Sequence, residues 1–337
     1  MKAVGYRHSL PIADEQSLLD LDLPDPVAGP RDLVVRVKAI SVNPVDIKVR
    51  SGVAPPEGQA KVLGWDAAGI VEAVGAEVAH YRPGDAVFYA GALDRPGCDS
   101  ELHAVDERIV GRKPDSLSFV EAAALPLTAV TAWELLFDRL GVPYGVKTAP
   151  GTLLIINGAG GVGSILTQLA RRLTGLTVVV TASRPESVAW CRAMGAHQVI
   201  DHHRPLNEAL AEIGIPQVEY VASLTATAQH FPAIAELIAP QGHLALIDDP
   251  QVLDIVKLKR KSVSVHWEFM FTRSLFHTAD IDSQRRLLNE VAGLVDAGLL
   301  RTTLNDEAGV VNAANLRRAH AHLESGRAIG KTVLAGF

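Results

Sequence analysis

The sequence has few of the residues from which disulfide frameworks and metal sites are built. Its 337 residues include only two cysteines, Cys98 and Cys191, which cannot form a disulfide framework and fit a reducing compartment. The 12 histidines form no H-E-x-x-H motif and the cysteines form no C-x-x-C motif, so these zinc-binding patterns are missing. These absences predict a cytoplasmic protein with no metal site.

Long apolar runs and basic segments are also scarce. No apolar run reaches the roughly 20 residues that a membrane-spanning helix needs, and the first residues have neither a signal-peptide h-region nor a transit-peptide composition. The net charge is −6 with no basic tail, which argues against a nucleic-acid partner. Aromatic residues make up 5% of a chain that is 48% hydrophobic and has 28 glycines, a composition typical of α/β proteins. We therefore expect neither a membrane nor a nucleic acid as partner.

A glycine-rich turn stands between a predicted strand and a predicted helix. The apolar run 153–156 predicts a buried strand, and a G-x-G-x-x-G sequence follows before a helical pattern begins. This strand–turn–helix context is what a dinucleotide fingerprint requires, since the first glycine allows the tight turn, the second lets the backbone approach a pyrophosphate, and the third allows close packing. The free N–H groups of the helix then face the phosphates. The residues predicted to bind the cofactor here are Gly158, Gly160, Gly161, Val162 and Gly163.

The pattern along the chain changes near residue 118. Up to about residue 125, short β-rich runs alternate with Pro and Gly, which predicts a barrel or rolled sheet. Ser118 and Glu121 form a capping-box pattern at the start of a helical segment that Pro126 breaks or kinks.

Strands and helices then alternate. Strands are predicted at 152–157, 177–181, 198–200, 218–223, 242–247 and 262–267, and helices at 162–174, 186–194, 205–213, 227–239 and 251–258. Six strands with crossovers predict a parallel sheet in the order 3-2-1-4-5-6. Two helices at 283–297 and 312–325 and a strand at 332–334 do not continue the alternation and are expected to return to the first domain. The predicted fold is α/β, with a discontinuous β-rich domain (1–125 and 268–337) and a dinucleotide-binding domain (126–267).

The end of the second predicted strand indicates which cofactor binds. An NAD site usually has an acidic residue about 20 positions after the first glycine, but no acid occurs from Gly158 through Pro185. Ser183 and Arg184 stand there instead, and a guanidinium suits a 2′-phosphate. NADPH is therefore predicted over NADH. His202, after the third strand, either borders the adenosine phosphate or lies on plain surface.

Residues after the fourth and fifth strands complete the predicted cofactor site. In such sheets ligands bind at the carboxyl ends of the strands. This rule selects Leu224 and Thr225 after the fourth strand and Ile247 after the fifth.

The whole chain resembles the medium-chain dehydrogenase/reductase superfamily, and most of all its quinone oxidoreductase (zeta-crystallin-like) branch, whose members are often named zinc-type alcohol dehydrogenase-like. The motifs that carry the resemblance are S-V-N-P-V-D at 41–46, G-W-D-A-A-G at 64–69, P-G-D at 83–85, the glycine turn at 158–163 and G-A at 195–196. The resemblance implies a GroES-like catalytic domain, a Rossmann domain, a cleft between them and a homodimer.

The sequence departs from the zinc-containing members at their metal ligands. Those enzymes carry a Cys ligand where this chain has residues 43–46, and His-Glu where it has Trp65-Asp66. They also carry four cysteines for a structural zinc in a loop that here contains only Cys98. The three protein ligands of a catalytic zinc are therefore missing at the first place, and the four ligands of a structural zinc are missing at the second.

Without a metal, the negative charge that hydride transfer creates on an acceptor oxygen needs hydrogen-bond donors. The resemblance points to the segment around Asn43, whose amide is predicted to bind the acceptor oxygen or the cofactor amide. Lys48 is the predicted oxyanion stabiliser, Asp46 is predicted to orient Lys48 or Arg50, and Tyr89 is the alternative phenol. The resemblance further places Thr128 near the nicotinamide and Lys331 on the pyrophosphate.

These observations predict a zinc-independent oxidoreductase that transfers hydride from NADPH to a quinone or an α,β-unsaturated carbonyl. A zinc-type alcohol dehydrogenase with unrecognised ligands and an NADPH-binding protein with little turnover remain alternatives. The aromatic run 266–271 is interpreted as a dimer contact more readily than as an acceptor pocket. The basic run 257–261 is interpreted as a solvated face rather than a phosphate site.

Overall fold

The computed structural model describes residues 1–337, which form two compact units: Met1–Val130 with Phe271–Phe337 (unit 1), and Thr131–Met270 (unit 2). The strands are β1 Lys2–Tyr6, β2 Leu19–Asp22, β3 Asp32–Ser41, β4 Lys61–Val62, β5 Ala67–Val74, β6 Ala86–Tyr89, β7 Leu102–Asp106, β8 Val110–Arg112, β9 Thr152–Ile156, β10 Thr177–Thr181, β11 Gln198–Ile200, β12 Val218–Ser223, β13 Ile238–Leu246, β14 Ser264–Trp267, β15 Leu304–Glu307 and β16 Lys331–Ala335. The α-helices are α1 Pro44–Gly52, α2 Phe119–Ala123, α3 Pro126–Trp133, α4 Gly161–Leu173, α5 Pro185–Ala193, α6 Leu206–Glu212, α7 Thr227–Leu237, α8 Thr272–Leu275, α9 Ser283–Asp296 and α10 Ala313–Glu324. None of these helices combines the length and apolarity that crossing a bilayer requires.

Unit 2 is built on a six-stranded parallel sheet in the order β11-β10-β9-β12-β13-β14. This is the predicted order 3-2-1-4-5-6, and it is confirmed. The central strand β9 is buried on both faces, because Leu153 to Ile156 all lie in the core. Apolar runs of this kind are typical of parallel strands that helices cover on both sides.

The segment before β14 is not the helix predicted at 251–258. It contains a 3-10 helix, Ile255–Lys261, because Leu258 is its one buried apolar residue and no helical stripe exists to pack against the sheet. Lys261 donates from Nζ to the carbonyls of Ala235, Glu236 and Ile238, and so satisfies carbonyl groups at the end of α7. The other cations of the basic run are exposed, as the interpretation as a solvated face requires.

Unit 1 contains a seven-stranded sheet and a three-stranded sheet, the latter in the order β2-β1-β4. In the larger sheet the long strand β3 pairs with β5 on one side. On the other side its first half pairs with β7 and its last residues pair with β16. The end of β3 is therefore flanked by the start of β5 and the start of β16. This arrangement brings together the candidate residues of unit 1.

Helix α1 was not predicted, because its apolar residues alternate rather than recur with a helical period. The helix begins at Pro44, a residue whose fixed φ suits the first helical position. The Asp46 carboxylate accepts a hydrogen bond from the backbone N–H of Asn43 at 2.6 Å, which stabilises the first turn.

The segment around Pro126 is broken as predicted. The Ser118–Glu121 capping box is present, α2 ends at Ala123 and α3 begins at Pro126. A π-helix, Glu134–Arg139, continues α3.

Candidate cofactor and active site

The turn after β9 can be formed only by glycine at two of its positions. A Cβ at Gly158 would lie 2.5 Å from Val180 Cβ, and a Cβ at Gly163 would lie 2.3 Å from the carbonyl oxygen of Asn157. At Gly160 a Cβ would meet the Asn157 side chain at 2.9 Å. The missing side chains bring the start of α4 against β9 and leave the backbone of the turn uncovered.

The N-terminus of α4 has the free N–H groups that a phosphate needs. Its N-cap residue is Gly160, and no side chain caps the helix. By contrast, the backbone N–H of Thr227 in α7 donates to Asp248 at 2.8 Å, so an acid already occupies that helix end. A glycine cradle followed by an uncapped helix start fits the pyrophosphate of a dinucleotide.

We expect Gly163→Ala to destabilise the protein by about 1–2 kcal/mol, because the new Cβ overlaps backbone atoms and the turn must shift. Gly293→Ala is the matched control, since a Cβ at Gly293 in α9 meets nothing within 4 Å and alanine is the better helix former by about 0.5–1 kcal/mol. Urea unfolding of both variants measures the difference. Equal stabilities would contradict the packing role of Gly163.

The other residues predicted for the cofactor follow neighbouring strands of the same parallel sheet. Ser183 and Arg184 follow β10, His202 follows β11, and the two segments are adjacent because the Ala182 N–H donates to the carbonyl of Ile200 at 3.0 Å. Both Ser183 and Arg184 are half-buried, and the Arg184 Nε lies 3.4 Å from Glu186 Oε1. The centre of the His202 ring lies 4.5 Å from that of His203, and the two rings are tilted by 38°.

Leu224 and Thr225 follow β12, and Ile247 follows β13. Leu224 is buried, Thr225 is exposed and Ile247 is half-buried. Since parallel strands end at the same edge, the structure brings these residues and the glycine turn to one edge of the sheet. Their contacts with a cofactor stay predictions.

A buried ion pair lies at the end of β3 in unit 1. The register of β16 on β3 pairs Val333 with Ser41, which brings Lys331 beside the residues that follow Ser41. Its Nζ lies 3.0 Å from Asp66 Oδ2, donates to the Val42 carbonyl at 2.9 Å, and donates to the Asn43 side-chain oxygen. All three donors of Lys331 are thus used inside unit 1, and the side chain is 3% exposed. The predicted contact of Lys331 with a pyrophosphate would require the ammonium to leave one of these partners, and it stays a prediction.

Asn43 belongs to the same network. Its amide nitrogen donates to Asp66 Oδ2 at 2.9 Å and to the Ser41 carbonyl at 3.2 Å, and the residue is 1% exposed. Both amide N–H groups are occupied, and one of them orients Asp66. Binding of an acceptor oxygen or the cofactor amide would require Asn43 to give up one of these bonds, and it stays a prediction.

Asp46 contacts backbone N–H groups at the start of α1 and in the turn before β5, and its predicted orientation of Lys48 or Arg50 stays a prediction. Its carboxylate accepts from the backbone N–H of Asn43 and, at 3.1 Å, from that of Gly64. Burial raises the pKa of Asp46 to about 7, against the lowering effect of the Asn43 N–H and Lys331. The residue joins the start of α1 to the turn before β5.

Tyr89 is fully buried. Its hydroxyl lies 3.1 Å from His103 Nδ1, and the two rings stack at 5.5 Å. Burial raises the pKa of Tyr89 well above its usual range and lowers that of His103 to about 4. The pair belongs to the core of unit 1, and a role of the Tyr89 phenol toward a substrate stays a prediction.

The predicted roles of Lys48 and Thr128 stay predictions. Lys48 is exposed on α1. Thr128 is buried in α3, where its hydroxyl donates to the Leu125 carbonyl at 3.1 Å.

Unit 2 contains a buried carboxyl pair that was not predicted from the sequence. Glu134 and Glu268 are both fully buried at their side chains, and Arg139 Nε lies 2.9 Å from Glu268 Oε2. The π-helix brings Glu134 and Arg139 to one face, since its wider turn aligns residues five apart. Burial, and next the neighbouring Glu134, raise the pKa of Glu268 to about 9. The one signal in the sequence was an acid inside an otherwise aromatic run.

Comparisons with known proteins find similarity over nearly the whole chain. Residues 29–130 match the family model described as alcohol dehydrogenase GroES-like domain, and residues 194–334 match the model described as zinc-binding dehydrogenase. A zinc-type alcohol dehydrogenase-like protein of Staphylococcus epidermidis is 37% identical over 99% of both chains.

Two solved structures are similar over nearly the whole chain. A Rhizobium etli protein assigned to the zinc-dependent alcohol dehydrogenases is 56% identical, with a TM-score of 0.96 over 100% of this chain and 98% of the other. The Escherichia coli quinone oxidoreductase, solved in complex with NADPH, is 25% identical, with a TM-score of 0.82 over 99% and 100% of the two chains.

The zinc in those family descriptions does not fit the residues at the end of β3. Asp66 Oδ2 accepts from Ser41, Asn43 and Lys331, and Oδ1 accepts from the Leu127 N–H at 2.8 Å. A carboxylate that already receives four hydrogen bonds, beside a buried ammonium, has no lone pair directed at a metal, and a second cation there would be repelled. Trp65, at the position of the histidine ligand, donates its indole N–H to the Ala92 carbonyl at 3.1 Å.

Proposed function

The chain belongs to the medium-chain dehydrogenase/reductase superfamily of oxidoreductases, and from that premise we propose that it is a zinc-independent enzyme that transfers hydride from NADPH to a quinone or an α,β-unsaturated carbonyl. The observation that carries the metal-free part is the Lys331 ammonium bound to Asp66 and Asn43, where zinc-containing relatives are expected to hold ligands. The glycine cradle and Arg184 support the choice of NADPH. The quinone part rests on the similarity to an NADPH-bound quinone oxidoreductase.

The reaction needs a proton as well as a hydride. Hydride adds to a carbon of the acceptor, the electron pair moves to oxygen, and a proton from solvent or a side chain neutralises it. Bound at the glycine turn and Arg184, NADPH would supply the hydride. Of the four side chains predicted to assist, only Lys48 is exposed, so we assign the stabilisation of the oxyanion to Lys48.

A second function is an NADPH-binding protein with little turnover. The observation that favours it is that Asn43, Asp46 and Tyr89 are buried and hydrogen-bonded inside unit 1. Binding alone needs the glycine cradle but none of these residues.

The test follows NADPH oxidation at the nicotinamide absorbance band with ortho- and para-quinones, enones and simple aldehydes, each with and without a zinc chelator. We expect oxidation with quinones or enones that the chelator leaves unchanged, and a fall in kcat of about tenfold or more in Lys48→Gln, the order expected for loss of one oxyanion donor. Lys38→Gln, at an exposed position of β3, is the matched control.

Three other outcomes are informative. Loss of activity with the chelator would contradict the metal-free assignment. NADPH binding without turnover of any acceptor would favour the second function. Normal turnover in Lys48→Gln would remove that lysine from the mechanism.

A further inference from the structure

We infer that Glu186 sets the strength of the preference for a 2′-phosphorylated cofactor, because it competes with the phosphate for Arg184. This inference rests on the proposed function and deepens it. It makes Glu186 a specificity-determining residue that acts against the cofactor the chain is proposed to use.

The geometry gives Arg184 an acidic partner before any phosphate arrives. Arg184 is the N-cap residue of α5, directly after the turn from β10, and Glu186 lies in the first turn of the helix. Arg184 Nε and Glu186 Oε1 are 3.4 Å apart. The two side chains are 32% and 57% exposed, so a ligand can reach the guanidinium from solvent.

Because no acid occurs from Gly158 through Pro185, the sequence predicts a positively charged site at Arg184. Glu186, the next residue after Pro185, partly neutralises that charge. A second acid lies one strand away, where Asp201 Oδ1 is 3.1 Å from His203 Nδ1.

An exposed ion pair of this kind is weak and salt-sensitive. A phosphate carries nearly two charges and three strong acceptor oxygens, and Arg can bind it with two parallel hydrogen bonds. The phosphate therefore displaces the carboxylate, but the displaced carboxylate stays attached to the same helical turn and repels it. A cofactor with a free 2′-hydroxyl meets neither competition nor repulsion. Removing the charge at position 186 should strengthen binding of the 2′-phosphorylated ligand alone.

The experiment measures binding by calorimetry, so it does not depend on turnover. The probes are 2′,5′-ADP and 5′-AMP, which differ only in the 2′-phosphate, followed by NADPH and NADH. The variants are Glu186→Gln, Arg184→Gln and the double variant. Glu236→Gln is the matched control, since Glu236 is exposed in the last turn of α7, at the opposite edge of the sheet.

We expect Glu186→Gln to lower the Kd for 2′,5′-ADP by about three- to tenfold, the change produced by relieving one partly screened like-charge contact. The Kd for 5′-AMP should stay within about twofold, since that ligand carries no charge near Glu186. Arg184→Gln should weaken the binding of 2′,5′-ADP. In the double variant, the gain in affinity from Glu186→Gln should be smaller than in the presence of Arg184. Added salt should reduce the gain as well.

Each other outcome overturns the inference at an identifiable step. An unchanged Kd for 2′,5′-ADP in Glu186→Gln means that the carboxylate does not compete, while binding of NADPH by the parent protein leaves the proposed function intact. Weaker 5′-AMP and NADH binding in Glu186→Gln means that Glu186 holds the ribose hydroxyl of an NAD cofactor. If the parent protein binds none of the four ligands, the proposed function and the inference fail together.

Discussion

Lys331→Met is expected to lower the free energy of unfolding by about 3–5 kcal/mol, the cost of leaving a buried charge without its partner. Asp66 is fully buried and Lys331 is 4% exposed. The substitution removes the ammonium that neutralises Asp66 and leaves the side-chain oxygen of Asn43 without its donor. Methionine fills most of the lysine volume, so the loss reports charge rather than a cavity. Denaturant unfolding, followed by circular dichroism, measures it.

The double variant Lys331→Met/Asp66→Asn separates the charge from the packing. With the carboxylate neutralised and the lysine gone, the amide of Asn43 can turn so that its oxygen accepts from residue 66. We therefore expect the double variant to recover more than half of the loss, a strongly non-additive cycle. Lys38→Met, at an exposed position of β3, should change stability by no more than about 0.5 kcal/mol. A loss below about 1 kcal/mol in Lys331→Met would contradict the account of the ion pair.

The same two residues show which parts of this protein a sequence can predict. The order of the six-stranded sheet follows from local signals, since each buried strand is an apolar run and each crossover contains a helix. The contact between Asp66 and Lys331 depends on the register of β16 on β3, which joins positions far apart in the chain. No local pattern contains that register. The sequence therefore did not predict that all three donors of Lys331 bind partners inside unit 1.

Helix α1 was not predicted for a different reason. Val45, Ile47 and Val49 alternate with polar residues, a spacing that does not indicate a helix. Asn43, Pro44 and Asp46 nevertheless carry a helix-start signal of the kind that Ser118 and Glu121 gave correctly for α2. The burial of Asn43 and Tyr89 was not predicted either, because residue type alone does not tell whether an amide or a phenol faces a substrate or the core.

The second large effect on stability is expected at the buried carboxyl pair of unit 2, Glu134 and Glu268. Glu268→Gln is expected to raise the free energy of unfolding at pH 7 by about 2–3 kcal/mol, because the folded protein must now keep a proton on a carboxyl group that the unfolded chain would lose. The pKa of Glu268 is raised from 4.5 to about 9 by burial and by Glu134, while Arg139 acts in the opposite direction. Glutamine has the shape of the protonated acid and does not titrate.

The pH dependence follows from the direction of that shift. A carboxyl group whose pKa is higher in the folded than in the unfolded state contributes most to stability below about pH 4.5, and this contribution falls as the pH rises to about 9. The gain from Glu268→Gln should therefore be close to zero near pH 4.5, grow with pH and level off above about pH 9. Urea unfolding of both proteins at four pH values measures the difference.

Glu236→Gln is the control for the change of charge alone, and its effect should stay within about 0.5 kcal/mol at every pH. Arg139→Gln tests the pair from the other side. This substitution removes the cation 2.9 Å from Glu268, which leaves the two carboxyl groups without a counter-charge. We therefore expect a lower free energy of unfolding and a steeper fall of that free energy as the pH rises. A gain from Glu268→Gln that does not change with pH would show that Glu268 is not the titrating group, and a loss at pH 7 would mean that the buried carboxylate is ionised and held by Arg139.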